Sequence, residues 1–467
     1  LTRRNVQILT LGAVLLWLLG SAAYPLLEST EGRYASVSWD MAHGGDWLTP
    51  TFNGTALLTK PPLAYWAGAT ALGLLPDTVW VVRLPATCAL ILCAWLTLKL
   101  ALLAGLDDRR ARWAGLMAGL SPLAMIQGRM TTGDIFLWTG ALITYVAVLD
   151  RRRHPVRNLL AGLGLAVGFM AKGHMVLFWT VIPLAALALS GRRRWRPLLR
   201  LVHPVTLLVF IVLAAPWFVA VLQRHPGLWG FWLGEETAGR VMSTQHGRSE
   251  PWWYFLPQFP ALMLPWLPEL WRGLRHRRQG PLNAVGRTLV LLAILVPLLI
   301  FSLSGSKRPN YLLPLVTPLA ILAAAGVPRI TGRSLRGRSL GWLAIALAWP
   351  FVLGGMHLGP PTWDLVRTAR GEGSVVACYG VLPSGIVFAN QGNVAEYGTN
   401  RDERFGGPNL PPADQTAAMG TLLENGGMIL TTPSRRAELE DRLGTPLGES
   451  DRRAGLVLLE ATPSTPR

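Results

Sequence analysis

Carboxylates and fixed cations recur in this chain at places where charge is expensive. A polar stretch from Glu28 to Trp66 lies between two apolar ones and carries Glu28, Glu31, Asp40 and Asp46 beside Arg33, Lys60 and His43. Further on, ionisable residues stand at the ends of apolar runs: Arg83, Arg129, Asp134, Lys172, Glu235, Glu236, Arg240, His246, Lys307 and Arg308. Ionisable groups at membrane depth tend to be functional, because an idle charge there is costly. This mixture suits the transfer of a sugar from a lipid-linked phosphate. A carboxylate takes the proton of an acceptor hydroxyl and offsets positive charge growing on the sugar. Lysine and arginine hold the departing phosphate as its negative charge grows. A long polar segment among spans is itself a sign of function.

The elements that must position these groups are membrane helices. The chain of 467 residues is 51% hydrophobic and only 15% charged, with a mean hydropathy of +0.34. Soluble domains average about 25% charged residues. Apolar runs of about 20 residues fall near 6–27, 80–103, 111–128, 132–149, 157–171, 174–190, 201–221, 256–271, 287–304, 311–327 and 339–357. The first follows Arg3-Arg4 and reads as an uncleaved helix rather than a signal peptide. In the first outer loop, 28–79, interfacial helices are expected over about 31–43, where Tyr34, Val37 and Met41 share a face and Gly44-Gly45 ends the run, and over 67–79.

Charge tests this layout. Residues 1–357 hold 34 Lys and Arg against 13 Asp and Glu, and residues 358–467 hold 10 against 13. With the N-terminus inside, the basic clusters at Arg3-Arg4, Arg109–Arg112, Arg151–Arg157, Arg192–Arg200, Arg272–Arg278 and Arg329–Arg338 all fall on the inner side, as basic loops do. The charged candidates above then share the outer side. The net charge of +18 is therefore a topology signal, and nucleic-acid binding is not expected, because spans separate the clusters.

Residues 358–467 change character and read as a small extracytoplasmic α/β domain. Strands are expected over 374–378, 385–389, 428–432 and 455–459, and helices over 413–424 and 434–443. Cys88, Cys93 and Cys378 make no disulfide or metal framework and read as apolar thiols.

The motifs Glu31-Gly32-Arg33-Tyr34-Ala35, Gly45-Asp46-Trp47-Leu48-Thr49-Pro50 and Lys60-Pro61-Pro62 resemble the first outer loop of the bacterial ArnT-like and protein O-mannosyltransferase-like glycosyltransferases of the GT-C fold. Arg83-Leu84-Pro85, Thr132-Gly133-Asp134, Ala171-Lys172-Gly173, Glu236 to Arg240, His246 with Pro251-Trp252-Trp253, and Lys307 to Pro314 extend the resemblance in order over about residues 20–325. The C-terminal region matches in position and size only.

The resemblance implies a polytopic α-helical membrane protein of GT-C-like fold with about eleven transmembrane helices of bilayer-spanning length. Its catalytic domain would be 1–357 and its extracytoplasmic domain 358–467. It implies inverting transfer from a polyprenyl-phosphate-linked sugar to a lipid, glycan or protein acceptor, by a monomer in the plasma membrane. Glu31 or Glu28 would activate the acceptor, with Asp134 as second acid. Lys60, Lys172, Arg240, Tyr311 and Lys307 would hold the donor phosphate, and Arg33, Tyr34 and His246 would position substrate. Relatives often carry an Asp where this chain has Thr30, which leaves Glu31 and Glu28 both open as the base. They also carry a Glu and a His where this chain has Thr59 and Thr237. Losing both ligands of a metal site together leads to the expectation of no metal and no cofactor. A transporter or flippase that binds the same headgroup without cleaving it is the competing reading. The chain has no internal repeat, and its charges sit at one face rather than at the midplane.

Overall fold

A computed structural model describes residues 17–26 in part, 30–150, 155–191, 195–232, 250–276, 280–305, 307–328 and 333–355, and segments between 365 and 461. Glu28, Arg240 and His246 lie outside the described residues. The chain divides into two compact units, one gathering residues 1–59, 65–82 and 349–467, the other residues 60–64 and 83–348.

The first unit begins with α1 (Glu31–Ala42), close to the expected helix. Tyr34, Val37 and Met41 recur at helical spacing and all are buried. A hairpin of β1 (Thr51–Phe52) and β2 (Thr55–Ala56) follows. It turns on Asn53-Gly54, whose φ of 51° and 74° suit the two-residue turn that Asn-Gly favours. Next comes α2 (Leu63–Leu74), starting earlier than the expected 67–79 helix.

The second unit is helical: α3 (Val79–Leu103), α4 (Asp108–Gly119), α5 (Pro122–Gln127), α6 (Gly133–Leu149), α7 (Val156–Lys172), α8 (Met175–Trp179), α9 (Val181–Leu189), α10 (Arg196–Leu201), α11 (Pro204–Arg224), α12 (Leu228–Phe231), α13 (Gln258–Ala261), α14 (Leu267–Arg275), α15 (Ala284–Leu303), α16 (Val316–Ala325) and α17 (Arg333–Gly355). A 3-10 segment, Pro309–Leu315, leads into α16. Among the described residues α3, α11 and α15 are long and apolar enough to cross a membrane. Shorter apolar helices are Leu63–Leu74, Gly133–Leu149, Met175–Leu189 and Pro309–Ala325.

Three runs read from hydropathy as single spans are broken. The 111–128 run stops at Gly119 and restarts as α5, with Ser121 accepting from the Ala124 N–H and Pro122 at the first helical position, a capped new start. The 174–190 run breaks at Thr180, whose hydroxyl donates to the Val176 carbonyl. The 256–271 run is divided by a 3-10 turn at Leu264–Trp266. Apolar content is blind to each of these backbone devices.

Small residues set the packing of α6 on α7. A Cβ on Gly140 of α6 would fall 2.4 Å from the Gly168 nitrogen and 2.5 Å from the Gly164 oxygen of α7. The two backbones therefore approach as small-residue membrane interfaces allow.

The chain re-enters the first unit through β3 (Val376–Tyr379), α18 (Ile386–Asn390), β4 (Ala395–Tyr397), α19 (Pro412–Glu424), β5 (Met428–Thr431), α20 (Pro433–Leu443), β6 (Leu447–Arg453) and β7 (Leu456–Ala461). The sheet order is β4-β3-β5-β7-β6. β3 runs parallel to β4 and β5, and β7 antiparallel to β5 and β6. The 385–389 strand expectation is corrected: that run is helical, and Phe388 packs with Leu26, Ala35, Leu72, Val81 and Val82. Short apolar runs do not separate a buried helical turn from a strand. β6, Leu-Gly-Glu-Ser-Asp-Arg-Arg, carries the polar pattern of an edge strand and was absent from the sequence reading.

The C-terminal segment is bolted to the first loop inside this unit. The Asn53 side-chain amide donates to the Val394 carbonyl at 2.9 Å and accepts from its N–H at 2.8 Å. The Phe388 N–H donates to Ser36 Oγ at 3.3 Å.

Candidate functional site

The small-residue contact of α6 with α7 sets two helix ends side by side. α6 begins at Gly133 and α7 ends at Lys172, and the Lys172 ammonium is ion-paired with Asp134. Both are nearly buried, with side chains 12% and 7% exposed. The second Asp134 oxygen accepts from Asn310 Nδ2 at 2.7 Å. Lys172 Nζ also lies 4.8 Å from the Tyr311 ring centroid, within cation–π range. Tyr311 leans on Phe301 at 5.8 Å, and Phe301 stacks on Trp179 at 5.3 Å. With both oxygens engaged, Asp134 acts as an anchor for the ammonium. Lys60 belongs to the same unit, and its charge bears on His174, two residues beyond Lys172. The neighbourhood thus sets the Lys172 ammonium and the Asp134 carboxylate beside an aromatic wall.

Three expected residues therefore come together, Asp134, Lys172 and Tyr311. Lys307 is used otherwise. Its ammonium donates to the carbonyl of Ser304, just past α15, at 2.6 Å and to that of Glu250 at 2.8 Å. A lysine at a helix C-terminus satisfies orphan carbonyls and the dipole, so two of its three N–H groups are spent on the chain.

In the first unit Glu31 is fully buried at the first residue of α1, where a carboxylate is favoured by the helix dipole. Tyr34 packs on Tyr65 with centroids 4.5 Å apart, and Ser38 Oγ donates to the Tyr65 carbonyl at 3.1 Å. Arg33 is half-buried. Other loop acids hold the loop. Asp40 accepts from Thr51 Oγ1, Asp46 from the Leu48 N–H at 2.8 Å, and Asp77 from Trp39 Nε1 and His43 Nε2, each at 3.0 Å.

Three residues absent from the sequence reading stand out. Asn310 is uncharged, so a search for ionisable groups passes over it; its place beside Tyr311 was the available signal. His174 follows Lys172-Gly173 directly. Glu269 was absorbed into an apolar run, yet it is a buried carboxylate paired with Arg272 and Arg338.

The family profile for dolichyl-phosphate-mannose-protein mannosyltransferases matches residues 59–219, and that for Alg9-like mannosyltransferases residues 240–359. The chain is 32% identical over 382 residues to the undecaprenyl phosphate-alpha-4-amino-4-deoxy-L-arabinose arabinosyl transferase of Pseudomonas aeruginosa (strain LESB58), covering 78% of this chain and 67% of that protein. It is 32% identical over 311 residues to the like-named protein of Serratia proteamaculans (strain 568), covering 64% of this chain and 55% of that one. The chain thus spans between about half and two thirds of these relatives' lengths. Its fold is that of the crystal structure of ArnT from Cupriavidus metallidurans bound to undecaprenyl phosphate, with a TM-score of 0.82 at 20% identity and 100% of both chains covered.

Proposed function

As the chain belongs to the ArnT-like glycosyltransferases of the GT-C fold, we propose that it moves a sugar, with inversion, from a polyprenyl phosphate to a hydroxyl or phosphate of a lipid, glycan or protein acceptor. The reading includes about eleven crossings of a bilayer-spanning length, a monomer in the plasma membrane, and an extracytoplasmic α/β region. The observation that carries it is the Lys172 ammonium, held by Asp134 and the Tyr311 ring with the charge of Lys60 nearby.

The chemistry follows from charge. A sugar-phosphate-prenyl diester carries one negative charge, and the departing prenyl phosphate carries two once the bond from the anomeric carbon to oxygen has broken. A fixed cation is worth more after that change than before it, which is what lowers a barrier. Asp134 aims Lys172 and Asn310 aims Asp134, so the ammonium needs no reorganisation as the charge grows. Lys60 is the further cation assigned to the departing phosphate. Glu31, with Glu28 as the second candidate, takes the acceptor proton.

The test uses the purified full chain in detergent with radiolabelled lipid-linked sugar and acceptor lipid extract. Label should leave the prenyl phosphate, and Glu31→Gln and Lys60→Ala should each abolish its release. Wild-type release in both variants would reject the assignment. Binding without cleavage by the native chain would favour the transporter reading.

A further inference from the structure

Along α6, from Trp138 to Asp150, lies a cavity of about 590 Å³, within the roughly 300–1,000 Å³ range of ligand sites. Its walls come from α3, α6, α15 and α16, with Leu100, Leu142, Leu289 and Ile321 among the apolar residues facing it. The polar groups of the wall are already satisfied. Tyr145 OH donates to the Trp179 carbonyl at 2.7 Å, and Trp138 Nε1 to Thr317 Oγ1 at 2.9 Å, itself 3.0 Å from Thr97 Oγ1. Such a space offers water no partners and suits hydrocarbon.

One end of the cavity has a different character. Asp150 and Asn283 line it, and both belong to the side that bears the basic loops. The Asp150 carboxylate is ion-paired with Arg157, and its carbonyl accepts from Arg200 Nη1. Arg157 and Arg196 repel the Arg200 guanidinium, while Asp150 attracts it. Arg157 on the Asp150 carboxylate, Arg200 on its carbonyl, and Arg196 one turn from Arg200 on α10 thus gather at the mouth of an apolar chamber. Excess positive charge beside a slot for hydrocarbon is the complement of a lipid with an anionic headgroup, and guanidinium suits a phosphate oxygen pair.

We infer that this cavity seats one acyl chain of an anionic phospholipid from the leaflet facing the basic loops, with its phosphate at the Arg157–Arg196–Arg200 mouth. The arginine mouth is separate from the Lys172 cluster, although Trp179 belongs to the wall of both. α6 has 17 residues, so its two ends stand roughly 25 Å apart at 1.5 Å per residue. A donor whose phosphate meets Lys172 does not place that phosphate here. The inference stands whether or not the transferase reading holds.

The experiment is photolabelling of the full chain in nanodiscs with phosphatidylglycerol carrying a diazirine at the acyl tip, followed by peptide mapping. Labelling of α6 and α15 peptides at cavity positions is expected, with competition by unlabelled phosphatidylglycerol at least tenfold stronger than by phosphatidylcholine. Arg157→Gln with Arg196→Gln should remove that preference. Ala293→Trp, which fills the chamber, should abolish cavity labelling. Label confined to outward-facing positions such as Leu295 and Leu299, equal competition by phosphatidylcholine, or stronger competition by a polyprenyl phosphate would each overturn the assignment. Native mass spectrometry of the unmodified protein gives a check that needs no variant. One retained phosphatidylglycerol is expected, and retention of none overturns the inference.

Discussion

Two buried carboxylates in the helical unit do opposite things. Asp134 pairs with one lysine, and its other oxygen is occupied by the neutral Asn310 amide. The ammonium it holds lies against an aromatic face. Glu269 instead gives one oxygen to both Arg272 and Arg338, at 2.8 Å to the latter. Its other oxygen has no hydrogen-bond partner among the described residues. Arg338 also donates to the Pro265 carbonyl at 2.9 Å, so the cluster ties α17 to the turn before α14. Beside it, a Cβ on Gly273 would fall 2.0 Å from the Leu322 oxygen, and one on Gly326 2.1 Å from the Glu269 oxygen. The lesson is that burial of charge does not by itself mark a site. What separates the two is the company of the cation, since Lys172 lies against the Tyr311 ring whereas Arg338 is consumed in joining α17 to the turn before α14.

The comparison breaks most visibly through Lys172. Lys172→Ala should lower sugar release per folded molecule about 100- to 1,000-fold, the usual loss for a charge-stabilising group, and also lower the melting temperature because Asp134 is left buried without its cation, as read by radiolabel transfer beside a thermal scan. Arg338→Ala should change stability alone. Leaving Glu269 buried with one partner should cost about 2 kcal/mol, the buried-pair figure discounted because Arg338 is partly exposed. Turnover per folded molecule should stay at the native value. If Arg338→Ala also removed turnover, the division into site and clamp would fail.

Asn310 sharpens the same contrast. Asn310→Ala frees one Asp134 oxygen and lets the Lys172 anchor swing, with an expected loss of roughly tenfold in kcat, in keeping with about 1.5 kcal/mol for a hydrogen bond to a charged group. Asn310→Gln should recover part of it. Equal kcat in wild type and Asn310→Ala would show that the amide has no positioning role.

The smallest effect belongs to the C-terminal sheet, where carboxylates are exposed. The Leu447 N–H and then Arg436 hold the Glu440 carboxyl below its ordinary range, and Arg452 does the same for Glu449. A folded-state pKa below the unfolded value stabilises above the unfolded value, about 4.3, and that contribution is lost as pH falls through the folded value. Melting of this region should therefore be flat from pH 7 to 5 and decline only in more acid solution. Arg436→Gln should flatten the acid limb; an unchanged limb would deny these carboxylates the effect.

Much of the helical unit was legible in advance, and the reason is particular. Val79–Leu103, Gly133–Leu149, Val156–Lys172 and Ala284–Leu303 lie close to their apolar runs because lipid and a helical interior demand uniform apolarity. Alternating sides then predicted that Asp134 and Lys172 share an end, and the family resemblance added Tyr311. The breaks at Ser121 and Thr180 were hidden, since they depend on a cap and a side-chain bond that hydropathy averages away. Lys307 shows the limit for charge: the sequence places it at a turn, but only folding determines that the Ser304 and Glu250 carbonyls accept its hydrogen bonds. Phe388 shows it for apolar runs, where the partner chosen in space settled helix over strand.

The sequence alone therefore determined which segments are apolar enough to prefer lipid and the order of the family motifs, because these follow from local composition. Tertiary structure decided which carboxylate serves a cation and which serves the frame. That choice depends on Gly140 and Gly168 letting two backbones meet, on Asn310 reaching Asp134 from 176 residues away along the chain, and on Asn53 clasping Val394 across a separation of 341 residues. Contacts of this kind are set by packing distance, and a linear pattern carries no record of that.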